Sequence, residues 1–254
     1  MAGSHVHALY RHRVGGLHGV EPQVKLASTL LFVVTVVAAP REAFWAFGAF
    51  ALVLAIVTAW ARVTPGFVLR RMLIEVPFLL FAVFLPFVGS GDRVEVLGLS
   101  LSVGGLWAAW NILAKATLGA WASILLAATT QVPDLLEGFG RLRAPRVITA
   151  IMGFMVRYLD VIVGEWARMR VALRSRAYRP RTLRQIGPLA AASGSLFIRS
   201  YERGERVYLA MLSRGYTGEM PAMAAPVPVL RQWAAAAAMV GLAAAIAAMG
   251  WVTR

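Results

Sequence analysis

The stretch WAAAAAMVGLAAAIAAMGW, residues 233–251, has no charged side chain over its 19 residues. A transmembrane helix needs about 20 mostly apolar residues, because each residue rises about 1.5 Å and the hydrocarbon core is about 30 Å thick. Four other stretches have the same character, and they are 24–39, 43–61, 72–90 and 106–130. The sequence therefore predicts an all-α, polytopic membrane protein with about five transmembrane helices.

The overall composition excludes several classes of function. The 254 residues are 59% hydrophobic and only 15% charged, whereas soluble domains carry roughly a quarter charged residues. The absence of Cys removes disulfide frameworks, Cys-ligated zinc and thiol nucleophiles. Neither of the two lysines, Lys25 and Lys115, is followed by Ser or Thr. A Walker A phosphate loop is thus missing, and the chain is not an ATPase of that kind.

The basic residues predict the orientation in the membrane, because Lys and Arg collect in cytoplasmic loops. With the N-terminus inside, 22 of the 26 basic residues fall on the cytoplasmic side. Arg41, Arg93 and Arg254 fall outside, and Lys115 lies within a span. We therefore expect a multi-pass protein of the bacterial inner membrane with a cytoplasmic N-terminus and an external C-terminus.

This orientation divides the chain into four segments. A cytoplasmic N-terminal tail occupies 1–21, and four transmembrane helices occupy 22–130. A cytoplasmic segment follows at 131–228, and the last transmembrane helix occupies 229–254. Apolar and polar residues alternate near 89–105, which predicts an extracellular hairpin-like loop.

The cytoplasmic segment 131–228 carries fifteen Arg against seven acidic residues. From Pro145 onwards, apolar residues recur at three- and four-residue steps, which predicts one long amphipathic helix. A second helix is predicted from about 188 to 213, with small residues on a face that permits close helix approach. Two such helices would each reach about 40 Å, so we regard this segment as the functional centre.

A short internal repeat ends the two predicted amphipathic helices. ALRSRAY at 172–178 matches AMLSRGY at 210–216, with an offset of 38 residues and a shared Ser-Arg-small-Tyr core. An Arg at a helix C-terminus satisfies the last carbonyls, and Gly215 suits a left-handed cap, which is one explanation of the motif. The other is a pair of docking points, because Arg offers a planar fork for a partner's carboxylate. Two matching copies favour the second explanation.

These residues resemble the paired Ala-Arg-Gly-like signatures of a known family, the transmembrane T component of energy-coupling-factor transporters. The match consists of Ser175-Arg176-Ala177 and Ser213-Arg214-Gly215, and EPQVKL at 21–26 is similar to the stretch before the first span in CbiQ-type cobalt transport subunits. The first copy departs from the family pattern by carrying Ala177 where Gly is common.

The resemblance implies a non-catalytic coupling subunit without a cofactor. In that family the two signatures end coupling helices that dock on two cytoplasmic ABC ATPase subunits. A separate membrane S component, CbiM-like if the cargo is cobalt, binds the substrate. The resemblance therefore implies an ATPase-coupling role for six residues: Ser175, Arg176, Ala177, Ser213, Arg214 and Gly215.

Other candidate sites have simpler explanations. All four His residues, His5, His7, His12 and His18, lie in the N-terminal tail, where no neighbouring carboxylate completes a metal site, and we predict none. Lys115 is expected to snorkel outward from its span, and Glu75 to face water or headgroups. The dispersed Arg residues fit anionic lipid headgroups of the bilayer, and no nucleic-acid recognition module is apparent.

Two competing functions need features that the sequence lacks. A membrane enzyme acting on an anionic lipid or prenyl phosphate needs positioned carboxylates or metal ligands, and no Asp-Asp-x-x-Asp motif is present. A secondary transporter usually contains inverted repeats, whereas five spans do not divide into halves. The enzyme is retained as the alternative to the coupling subunit.

Overall fold

A computed structural model describes residues 16–89, 93–96, 99–179, 182, 185–218 and 230–253. The chain forms two compact units. The first, called the bundle here, comprises the described residues of Leu9–Leu142 and Pro226–Arg254. The second, called the helical arm, comprises the described residues of Arg143–Ala225.

The bundle consists of helices and one small sheet. Its elements are α1 (Pro22–Ala38), α2 (Phe44–Trp60), α3 (Pro65–Met72), α4 (Val76–Val88), β1 (Arg93–Val96), β2 (Leu99–Ser102), α5 (Val103–Thr129), α6 (Val132–Arg141) and α9 (Leu230–Val252). Helix α1 packs against α5, α6 and α9, while α5 also contacts α2, α3 and α4. Helices α1 and α5 are therefore the centre of the bundle.

The lengths and compositions of the helices confirm an all-α polytopic membrane protein. In the described part of the chain, four helices are long and apolar enough to cross a bilayer: Pro65–Val88, Val103–Thr129, Arg146–Ser175 and Leu230–Val252. The apolar helices α1 and α2 are shorter, with 17 residues each. Helix Arg146–Ser175 was predicted to be an amphipathic cytoplasmic helix. Its first half is more apolar than is usual for an amphipathic helix. Its cytoplasmic location stays a prediction.

The third predicted span differs in its start and its regularity. The helix begins at Pro65, and a 3-10 turn at Leu73–Glu75 separates α3 from α4. Pro77 has no N–H to donate to the carbonyl of Leu73, four residues earlier, and this missing bond accounts for the interruption of the regular α-helix. Most large side chains of α4 are exposed, for example Phe78 and Phe84, as expected of a helix that faces lipid.

A two-stranded antiparallel sheet occupies the region of alternating sequence between α4 and α5. Strand β1 pairs with β2 in a register that places Arg93 opposite Ser102 and Val96 opposite Leu99. Ser102 then caps α5, because its hydroxyl accepts a hydrogen bond from the Gly105 N–H at 3.3 Å. The location of this sheet outside the cell stays a prediction.

The buried core of the bundle lies between α1, α2, α5 and α9. Phe32 and Phe50 are almost fully buried, and their rings meet edge to face with centroids 5.9 Å apart. Small residues such as Ala46, Ala122 and Ala243 allow the helices to approach closely around them.

The two ionisable side chains that were expected to face outward differ in their surroundings, because Lys115 is half-buried and Glu75 is buried. The Lys115 ammonium donates a hydrogen bond to the carbonyl of Val37, with an Nζ–O distance of 2.7 Å. This carbonyl belongs to the last turn of α1, whose acceptors lack partners within the helix. Glu75 is only 7% exposed. The expectation that Glu75 faces water or headgroups is therefore wrong, because α5 covers the turn that carries it.

The helical arm is built from two long helices. Helix α7 covers Arg146–Ser175 and α8 covers Gly187–Leu212. They are antiparallel: Met155 and Tyr158, early in α7, line one cavity together with Tyr208 and Met211, late in α8. Glu165 is the buried residue of α7, and α8 has none in the part that the structure describes. Most of the arm surface is therefore available to a partner or to lipid.

Candidate functional site

The end of α7 is closed by a left-handed cap. The N–H of Tyr178 donates to the carbonyl of Leu173 at 3.1 Å, and the N–H of Ala177 donates to that of Arg174 at 3.0 Å. This pair of bonds is the Schellman arrangement, which satisfies carbonyls that the helix leaves open. The Ser175 hydroxyl donates to the carbonyl of Ala172 at 2.9 Å.

The end of α8 repeats this arrangement bond for bond. The N–H of Tyr216 donates to the carbonyl of Met211, and the N–H of Gly215 donates to that of Leu212, both at 3.0 Å. The Ser213 hydroxyl donates to the carbonyl of Ala210 at 2.9 Å. Every donor and acceptor is displaced by the same 38 residues, so the sequence repeat is also a structural repeat.

The residue after each arginine adopts the left-handed conformation that the cap requires. Gly215 has φ +83°, and Ala177 has φ +58°. A side chain in this region brings Cβ close to the carbonyl oxygen and costs roughly 1 to 2 kcal/mol, whereas Gly pays no such cost. Ala177 therefore adopts the same cap geometry as Gly215, and its backbone is strained because it is not the Gly that is common in the family.

The strain predicts a stabilising substitution. Ala177→Gly should stabilise the end of α7 by roughly 1 kcal/mol, after the larger chain entropy of unfolded Gly is subtracted from the relief of strain. Hydrogen–deuterium exchange of a peptide covering 170–179 should slow by roughly fivefold. The matched change in the other copy, Gly215→Ala, should accelerate exchange over 208–217. Faster exchange in Ala177→Gly would contradict the strain argument.

Both caps present their arginines to the surroundings. Arg176 and Arg214 are exposed. Neither guanidinium forms an ion pair within the part of the chain that the structure describes. The fork of each is therefore available to a carboxylate or a carbonyl of another molecule. The capping bonds come from backbone groups, so the cap itself does not engage either guanidinium.

An ion pair joins the two helices midway, and the sequence analysis did not predict it. The Arg203 guanidinium lies 2.8 Å from one oxygen of Glu165, and that of Arg199 lies 3.7 Å from the other. Glu165 is 8% exposed. The sequence contained one signal of this pair, because Glu165 and Arg203 are 38 residues apart, the same spacing as the two copies of the repeat. Without the pairing of α7 with α8, nothing distinguished them from other surface charges.

The positions of the arginines are symmetric about this ion pair. Arg176 follows Glu165 by 11 residues, and Arg214 follows Arg203 by the same number, which corresponds to roughly 16 Å of helix in each case. Because the helices are antiparallel, the two ends point away from the contact in opposite directions. The arm thus carries two equivalent tips on either side of one crossing point.

The other candidate residues do not form a site in the described part of the chain. His5, His7 and His12 lie outside the described residues, as does the side chain of His18. Within the described ranges there is no group of three or more His, Cys, Asp or Glu residues that could hold a metal ion.

The apolar helices of the bundle, together with an arm whose two helix ends carry exposed arginines, define a multi-pass membrane protein. The family comparison agrees with this class. Residues 15–223 match the family model of the CbiQ cobalt transport protein. The chain belongs to this family, and it is a membrane component of a transporter.

Individual relatives are similar at modest identity. A cobalt transport protein CbiQ of Rhodobacter capsulatus is 30% identical over 144 residues, which cover 54% of this chain and 58% of the relative. A putative fused cobalt transport protein CbiMQ of Methanocorpusculum labreanum is 25% identical over 145 residues, 55% of this chain and 24% of the relative. An uncharacterized protein of Methanocaldococcus jannaschii is 26% identical over 221 residues, 83% of this chain and 75% of the relative.

Proposed function

We propose that the chain is the non-catalytic coupling subunit of an energy-coupling-factor-type importer. In this role Arg176 and Arg214 each dock on one cytoplasmic ABC ATPase subunit. The duplicated cap carries the proposal, because two equivalent exposed tips match two copies of a similar partner. The small residue behind each arginine, Ala177 or Gly215, lets the helix end enter a groove of the ATPase without steric conflict.

The crossing contact supports a mechanism for transmitting motion. When ATP draws two nucleotide-binding subunits together, each carries one tip of the arm with it. Glu165 and Arg203 lie midway between the tips, so a displacement of the tips changes the angle between α7 and α8 around this ion pair. Interfaces of packed helices convert small shifts into such rigid-body rearrangements.

A membrane partner that binds the substrate is the other part of the proposal. The printed name of the fused relative joins CbiM and CbiQ, which supports a CbiM-like partner for this chain and cobalt as the cargo. The arm exposes large apolar side chains, among them Met155 at 66% and Phe197 at 72%. An apolar surface of this kind suits a membrane protein or the bilayer itself. The orientation that matches this proposal has the arm and the N-terminus in the cytoplasm and the C-terminus outside.

The proposal predicts how many ATPase subunits the chain retains when one tip is altered. The tagged chain is co-expressed with ABC ATPase subunits of its own organism, purified without nucleotide and weighed by native mass spectrometry. The unmodified chain should retain two ATPase subunits, whereas Arg176→Ala or Arg214→Ala should retain one, because each tip binds separately. Arg206→Ala, an exposed arginine paired with Glu202, is the control and should retain both.

Two results would contradict the proposal. The unmodified chain could retain no ATPase subunit, or either single variant could retain two subunits as tightly as the control. The alternative, an enzyme acting on a lipid or prenyl phosphate, is favoured by no observation in the described residues, and release of phosphate by the purified chain alone would revive it.

A further inference from the structure

A cavity of about 700 Å³ opens between α1, α2, α5 and α9. This volume lies within the roughly 300 to 1,000 Å³ that is usual for small-molecule sites. Lys25 and Arg231 line it near the starts of α1 and α9, while Trp60 and Thr129 line it at the ends of α2 and α5. Leu17 and Val20, which precede α1, line the same end. This end of the cavity, called its mouth here, is the one that the predicted orientation places at the cytoplasmic surface.

The mouth of the cavity is positively charged. Lys25 and Arg231 are its two cations, and no acidic residue belongs to the described lining. The Lys25 ammonium donates one hydrogen bond to the Thr129 carbonyl at 3.0 Å, and an ammonium has three donors. Arg231 is exposed and makes no ion pair with the described residues. Both cations therefore retain donors for an anion.

Two acidic residues lie near Lys25 but do not line the cavity. Glu21 and Asp134 are near enough to Lys25 to interact with it electrostatically, yet neither lines the cavity. A carboxylate oxygen of Glu21 lies 4.0 Å from the Arg141 guanidinium. The charge of Arg231 is left for a ligand.

The depth of the cavity is apolar. Its lining farther from the mouth includes Phe32, Leu54, Leu125 and Met239. Phe32 lies seven residues beyond Lys25, and Met239 lies eight residues beyond Arg231, so the apolar part extends about 10 to 12 Å along the helices. A ligand that fills this space has an anionic head and an elongated hydrocarbon part.

We infer that the cavity binds one anionic phospholipid, with its phosphate between Lys25 and Arg231 and one acyl chain along Phe32 and Met239. Inorganic phosphate would satisfy the cations but leave the apolar depth empty, and close-packed interiors rarely leave such voids. A zwitterionic lipid would gain less from the two cations, and the cytoplasmic leaflet supplies anionic lipids. The inference does not depend on the proposed docking of ATPases.

The test uses the full chain in detergent and native mass spectrometry. It is titrated with phosphatidylglycerol, with phosphatidylcholine of the same acyl chains, and with inorganic phosphate as a competitor. We expect one phosphatidylglycerol to bind roughly 25-fold more tightly than phosphatidylcholine, since each of the two basic residues near the headgroup adds about fivefold. Arg231→Gln should reduce this preference about fivefold, because Lys25 remains, and Ala236→Phe, which fills the cavity from α9, should weaken binding of both lipids.

Matched variants separate the site from general effects of charge and bulk. Arg70→Gln removes an arginine that does not line the cavity, and Ala238→Phe adds the same ring at an exposed position of α9. Both should bind phosphatidylglycerol like the unmodified chain. Equal binding of the two lipids, displacement of the lipid by phosphate, absence of any bound lipid, or unchanged binding in Arg231→Gln would each overturn the inference.

Discussion

Replacing both Arg176 and Arg214 with Ala is expected to abolish retention of the ATPase subunits and to reduce ATP-dependent cobalt uptake to background. Truncation of a central Arg in a protein interface commonly lowers the affinity by about tenfold or more. The double variant loses two such contacts together. Both arginines are exposed and make no ion pair in the described residues, so the loss should not come from unfolding. Uptake of radioactive cobalt by cells that express the complete transporter measures the effect.

The arm supplies a matched control for this variant. Arg170 of α7 and Arg206 of α8 are also exposed arginines, and both lie outside the duplicated motif. Arg170→Ala combined with Arg206→Ala should therefore keep uptake near the unmodified level. Replacing both motif arginines with Lys should restore uptake only in part, because Lys keeps the charge but lacks the planar fork. Full uptake after replacement of both motif arginines with Ala would remove the basis of the proposed function.

Gly105→Ala is expected to destabilise the bundle strongly. A Cβ at this position of α5 would overlap the carbonyl oxygen of Leu85 and lie 2.7 Å from Cα of Pro86. These are backbone atoms of α4, so the clash cannot be relieved by a side-chain rotation and the two helices must separate. Overpacking of this kind costs about 3 kcal/mol, which corresponds to a decrease in Tm of roughly 6 to 12 °C.

The same helix offers a control for the Gly105 substitution. Gly119 has no atom within 4 Å of the position of an added Cβ, and Ala is a better helix former than Gly by about 1 kcal/mol. Gly119→Ala should therefore leave the Tm of the detergent-solubilised protein unchanged or raise it slightly. If Gly105→Ala melted at the same temperature as Gly119→Ala, the close approach of α4 and α5 would not be a determinant of stability.

Local sequence signals predicted the elements well, because each signal resides in neighbouring residues. The ends of α8 agree with the predicted helix to within one residue, since Pro188 and Ser213 mark its boundaries. The left-handed conformation at Gly215 also follows from its place at a helix end. The same local signals did not show that Ala177 adopts this conformation, because Ala gives no such indication and only the bonds from Ala177 and Tyr178 reveal it.

Contacts between distant segments were not predictable in this way. The partner of Lys115 is the carbonyl of Val37, 78 residues away, and the position of Lys115 in an apolar span did not identify it. The pairing of Glu165 with Arg203 required knowing that α7 and α8 are antiparallel. The cavity with Lys25 and Arg231 at its mouth joins residues from both ends of the chain.

The sequence by itself determined that this protein is a polytopic, helical membrane protein with a duplicated Ser-Arg-small-Tyr motif, because hydropathy, span length and a short repeat are properties of consecutive residues. Only the tertiary structure decided that the two motifs end in the same hydrogen-bonded cap, that one ion pair lies midway between them, and that α4 and α5 meet at Gly105. These features depend on which helices pack together and in which direction, and that choice results from the whole set of contacts rather than from any one segment.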